Sequence, residues 1–108
     1  MQDKYAKSIS VLSLEKALGD TLSVEPMLTR NGKGQLKSHV VHHCQNGTKF
    51  LSFGTLVAAK IGNQLYVSDY HDFSETTAFH CKRYTGMTLV ERRAKIYDGT
   101  IIHINTES

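Results

Sequence analysis

Ser74, Thr76, Thr77 and His80 set three hydroxyls and an imidazole close together where Phe73-Ser74-Glu75 reads as the entry of a helix. Unpaired amides at a helix start attract phosphate or carboxylate, so this group offers a contact to an anion or to a partner protein. The need of any helix for a cap accounts for Ser74 equally well. His42, Cys44, His80 and Cys81 form a second group, with the nitrogen and sulfur donors that zinc selects. Their spacing matches no paired Cys-x-x-Cys unit, and the adjacent residues His42-His43-Cys44 of one strand alternate between opposite faces and cannot all ligate one ion, so neither a metal nor a cofactor is expected. A cysteine beside a histidine is not yet a nucleophile pair, because a thiolate must be held at hydrogen-bond distance from its base. With no phosphate-binding glycine loop and no nucleophile elbow in the sequence, no catalytic residue is assigned and a non-enzymatic role is expected.

A third group is defined by charge. No acidic residue lies between Pro26 and Ser68, where Arg30, Lys33, Lys37, Lys49 and Lys60 occur with His39, His42 and His43. That block predicts local positive potential. Tyr66, Tyr70, Phe53 and His39 are candidate stacking faces for bases. A sequence-tolerant nucleic-acid binder using Arg30, Lys33, Lys37, His39, Lys49, Lys60 and Tyr66 is therefore the alternative reading. Lys82-Arg83 and Arg92-Arg93-Lys95 would extend the patch, and Glu75, Glu91 and Asp98 would dilute it. The whole chain carries only +3, and lysines on strands also serve solubility, so charge alone does not establish this reading.

These groups need a scaffold. The 108 residues suit one domain, 1–108, of ordinary globular composition. No apolar run approaches the ~20 residues that cross a bilayer, and Met1 to Leu18 lacks the apolar core of a secretion signal, so the protein is expected to stay where it is made, away from membranes. Cys44 and Cys81 are read as free thiols.

The expected fold is α+β: an antiparallel, hairpin-rich sheet packed with one main helix, about 75–84, and a short N-terminal helix. Residues 8–12 fit a strand or a helix equally; Ser13 would then cap a short helix ended by Gly19. Strands are expected at Thr21 to Val24 and Leu36 to Cys44, joined through Asn31-Gly32-Lys33-Gly34. After a turn at Asn46-Gly47, the alternation of Leu51, Phe53, Thr55, Val57, Ala59 and Ile61 predicts one extended segment with that face in the core. Gly62-Asn63 turns the chain back through Leu65 and Val67. Ser74 caps the main helix, Phe73 and Ala78 occupy the positions of a hydrophobic staple, and Gly86 lies just past its end. Asp98-Gly99 predicts a closing hairpin between Lys95-Ile96-Tyr97 and Thr100 to Ile104.

Phe53-Gly54-Thr55-Leu56-Val57-Ala58, the strand at Leu65-Tyr66-Val67, and the run from Tyr70 through Phe73-Ser74-Glu75-Thr76-Thr77-Ala78-Phe79-His80 resemble a family of small uncharacterised bacteriophage proteins. Its pattern is an aromatic-x-Thr-x-aliphatic-Ala strand, a hairpin, then aromatic-Ser-x-Thr-Thr-x-x-His opening a helix. Phe79 stands where that family usually has a basic residue, and Phe53-Gly54 departs from its Ser-aromatic order. The resemblance covers about the second half of the chain. It implies a phage or prophage origin and residence in the host bacterial cytoplasm, and no particular reaction. Because small phage proteins often bind host components, analogy makes an accessory role, of host-takeover or anti-defence type, in binding a host bacterial protein the expected one.

Overall fold

Short local signals punctuate the chain into ten elements and a 3-10 turn, described over residues 5–106 by a computed structural model. β1 (Ser8–Ser10) runs directly into α1 (Val11–Leu18), with Ser10 accepting the Ser13 N–H as N-cap. An antiparallel meander follows: β2 (Thr21–Leu28), β3 (Gln35–Cys44), β4 (Thr48–Ser52), β5 (Thr55–Ile61) and β6 (Gln64–Ser68). A 3-10 turn (Asp69–Asp72) leads into α2 (Glu75–Thr85), then α3 (Leu89–Asp98) and β7 (Ile102–Asn105). Strand order is β1-β7-β6-β5-β4-β3-β2, with β7 parallel to both β1 and β6.

Two apolar clusters lie on opposite faces of this sheet. Phe50, Val57, Ala58 and Val67 pack with Cys81 and Tyr84 of α2 and Ile96 of α3. Leu14 and Leu18 of α1 pack with Cys44, Leu56, Ala59 and Ile104. Adjacent Val57 and Ala58 share a cluster because the β4–β5 register shifts between Phe50 and Leu51, which breaks the simple alternation of β5. β5 is buried on both sides, and helices on each face make three layers. Gly47 permits the tight β3–β4 corner: a Cβ there would overlap the Lys60 carbonyl oxygen on β5. No helix among the described residues is long and apolar enough to cross a membrane.

The architecture corrects the expected fold class. The sheet is mixed, with seven strands, and three short helices replace a single main helix on a hairpin sheet. The turns at Asn31 to Gly34, Asn46-Gly47 and Gly62-Asn63 are present, as are the Ser74 cap and the left-handed Gly86 that ends α2. The closing hairpin is absent. Thr88 and Glu91 form a capping box that starts α3 over Lys95 to Tyr97, and Gly99 is its left-handed C-cap. Ile102–Asn105 then pairs with distant strands.

The long alternating segment is a hairpin too. The chain turns at Phe53-Gly54, so Phe53 leaves the core and stands 79 % exposed. Ser10, rather than Ser13, caps the first helix, and β2 continues through Pro26, which an edge strand tolerates. Phe73 is also exposed.

Candidate functional site

The turn between β4 and β5 is locally unfavourable. Phe53 has φ 50° and Gly54 φ 79°, a pair of left-handed residues of the kind Asn-Gly supplies without strain. Phe53 is the non-glycine residue with positive φ among the described residues, and such a conformation costs an ordinary side chain about 1 kcal/mol or more. The Phe53 N–H donates to the Ser38 carbonyl at 2.7 Å, which ties the tip of this turn to β3. Strain that lifts a large ring into solvent is a feature associated with binding sites.

Across from this tip, Ser68 fixes the entry to α2. Its buried hydroxyl donates to the Leu56 carbonyl at 2.8 Å and accepts the Tyr70 N–H at 3.2 Å. The 3-10 turn is thereby anchored to β5, and Tyr70 and Phe73 are placed with ring centroids 6.1 Å apart. Between the two anchored segments lies a cavity of about 290 Å³ lined by Ser52, Phe53, Thr55, Tyr70, Phe73 and Thr77. The β4–β5 turn around Phe53 and the segment from Tyr70 to Thr77 thus meet in one place.

The floor is a hydroxyl–imidazole network. His39 Nε2 lies 3.1 Å from Ser52 Oγ and 3.2 Å from Thr77 Oγ1, and the two hydroxyl oxygens are 3.1 Å apart. His39 Nδ1 meets Ser38 Oγ at 2.8 Å. Ser74 Oγ accepts the Thr77 N–H as N-cap and donates to Thr77 Oγ1, each at 3.1 Å. The His80 ring lies 5.3 Å from His39, centroid to centroid, and its buried Nδ1 has no hydrogen-bond partner. Burial lowers the His39 pKa; burial, then the neighbouring His39, Arg83 and Arg30, hold His80 down at about 4. Both imidazoles are therefore neutral at pH 7, and no charged side chain lines the cavity.

Of the residues singled out in the sequence, Ser74 and Thr77 join this network, while Thr76 stays exposed on α2 and His80 lies beneath it. His39 is 1 % exposed and presents no face to a base. The cations of the acid-free block do not converge. Lys49 approaches Glu15 of α1 at 3.9 Å, on one side of the sheet. On the other side, Lys60 lies over the Tyr84 ring at 4.4 Å and Arg30 over Phe79 at 4.3 Å. Lys33 and Lys37 are exposed, and Tyr66 is half-buried against the α1 cluster. Cys44 and Cys81 belong to clusters on opposite faces, so the sheet separates the candidate metal donors. Tyr70 and Phe53, candidate stacking faces in the sequence, stand at the cavity, and Ser52 completes it in a way that spacing alone does not indicate; the Phe53-Gly54 dipeptide was a turn signal within the alternation.

A larger cavity, about 460 Å³, is lined by Tyr5, Asp69, His71, Asp72, Arg93, Ile96 and Tyr97. Its charged groups are engaged with one another and with their surroundings. Arg93 pairs with Asp72 at 2.8 Å, and Asp69 accepts from Tyr5 at 2.6 Å and meets His103 Nε2 at 3.1 Å. Beneath it the buried Arg92 donates to His71 Nδ1 at 3.0 Å and to the Met87 carbonyl at 2.8 Å, a structural tie between α3 and the 3-10 turn.

Residues 22–99 match the model of a protein family described as being of unknown function (DUF8033). The matched span includes every residue that lines the smaller cavity. No curated protein and no solved structure matches the chain.

Proposed function

The chain belongs to this family of unknown function (DUF8033), and we propose that it is a non-enzymatic recognition module that binds a bacterial protein through the aromatic-walled cavity at the β4–β5 turn. The observation that carries this reading is the strained, exposed Phe53. A turn that gives up local stability to present a ring, opposite two more exposed rings, matches the aromatic anchors and pockets on which protein interfaces concentrate their energy. A phage or prophage origin and action in the host cytoplasm, as the resemblance implies, fit a small binding protein of host-takeover or anti-defence type.

Charge favours a protein partner over nucleic acid. No cation lines the smaller cavity, so nothing there attracts a phosphate. The basic side chains of the central block are divided between the two faces of the sheet. The test is capture from nuclease-treated bacterial lysate with the wild type and with a Phe53→Ser, Phe73→Ser variant. A protein retained by the wild type and lost from the variant is expected. Loss of all retained material on nuclease treatment, or equal retention by both chains, contradicts the reading.

A further inference from the structure

The walls and the floor of the cavity differ in chemistry, and the difference selects an occupant. Phe53, Tyr70 and Phe73 present rings at the rim, while Ser52 and Thr77, 8 % and 1 % exposed, present hydroxyls at depth. Counting hydrogens in the network shows what those hydroxyls have left to offer. If His39 carries its proton on Nε2, that proton goes to Ser52 or Thr77, one hydroxyl donates to the other, and one hydroxyl hydrogen remains without an acceptor in the triangle. If the proton is on Nδ1, both hydroxyl hydrogens are used within the triangle, and an oxygen lone pair remains open instead. The floor thus offers either a donor or an acceptor.

We propose that the occupant is a tyrosine side chain of the partner protein, its ring held by Phe53, Tyr70 and Phe73 and its phenolic hydroxyl on Ser52 and Thr77. The inference rests on the recognition reading above. A phenol both donates and accepts, so it completes the network with His39 in either tautomer. A phenylalanine or leucine side chain would cover the two hydroxyls without using the hydrogen or lone pair that remains open, and so forgoes one hydrogen bond. A phosphotyrosine or carboxylate would enter a cavity that no cation lines. A base linked to phosphate meets the same lack of a cation.

The test uses the full chain and three probes, p-cresol, toluene and thymidine monophosphate, titrated against the backbone amide resonances of Thr55 and Thr77. p-Cresol is expected to bind the wild type ~5-fold or more tightly than toluene, the discrimination one satisfied hydrogen bond provides. Ser52→Ala and Thr77→Val should bring the two affinities together. Because Thr77→Val also removes the acceptor of the Ser74 hydroxyl, Ser52→Ala and the wild-type comparison decide the matter if that variant fails to fold. Toluene binding as tightly as p-cresol, or the monophosphate binding more tightly than either, overturns the tyrosine assignment and leaves the cavity as a recognition site. Failure of all three probes to saturate overturns the recognition reading itself.

Discussion

Replacing Phe53 with asparagine separates the cost of the β4–β5 turn from the use of its ring. A fully buried phenylalanine removes ~150–250 Å² from water. Phe53, 79 % exposed, removes about a fifth of that, ~40 Å², worth ~1 kcal/mol at ~25 cal/mol per Å². Its edge contact with His39, at 5.6 Å between centroids, contributes about 0.5 kcal/mol more. Against these losses stands relief of the left-handed backbone, ~1 kcal/mol or more, since Asn-Gly is the favoured pair for this turn. The terms nearly cancel. Phe53→Asn is expected to change stability by no more than ~1 kcal/mol in either direction, a shift in Tm within about 4–8 °C. Truncating the fully buried Phe50 to alanine should cost ~3–5 kcal/mol. Urea denaturation followed by circular dichroism measures both. Binding to the captured partner should fall ~10-fold or more with Phe53→Asn, as for an interface anchor. A loss of more than ~2 kcal/mol of stability, or undiminished binding, would refute the claim that Phe53 serves recognition and not packing.

Three further outcomes follow from other parts of the molecule. Burial, together with Arg92 beside His71 and with His39, Arg83 and Arg30 beside His80, holds both imidazoles at about 4, below the unfolded value of 6.5. The unfolded chain therefore binds more protons between those values. Stability is complete above about pH 6.5 and falls towards pH 4 by at most ~2.7 kcal/mol per pH unit; a urea midpoint that stays constant from pH 7 to pH 5 would contradict this. Gly47→Ala drives a Cβ into the Lys60 carbonyl and should cost ~1–3 kcal/mol by chemical denaturation, with an unchanged midpoint counting against the tight corner. Ser74→Ala removes the α2 cap and should lower stability by ~1 kcal/mol, read from the same transition.

What the sequence made legible was local. Asn46-Gly47, Gly62-Asn63, the Ser74 cap and Gly86 each act within a few residues, and each is where its chemistry places it. β7 could not be read that way, because Ile102 pairs with Tyr66 and His103 with Ser8, partners that no turn connects. α3 was obscured by Asp98-Gly99, a dipeptide that ends a helix as readily as it makes a hairpin; the Thr88-x-x-Glu91 capping box was the competing signal. Phe53 looked like core because its neighbours Leu51 and Thr55 keep the period of a strand across the turn. The cavity arises only when the β4–β5 tip and the entry to α2 close on each other through Ser52, Thr77 and His39. No spacing rule expresses that closure, although Ser74, Thr77 and His80 marked one half of it.

Fluorine NMR of the chain labelled with fluorophenylalanine tests the proposed recognition site most directly, since its four phenylalanines sample distinct environments: Phe50 in the core, Phe79 beneath Arg30, and Phe53 and Phe73 at the cavity. On adding the captured partner, the Phe53 and Phe73 resonances should shift or broaden while the Phe50 resonance stays in place. Movement confined to Phe79, with Phe53 and Phe73 unchanged at saturation, would move the binding surface elsewhere and contradict the account.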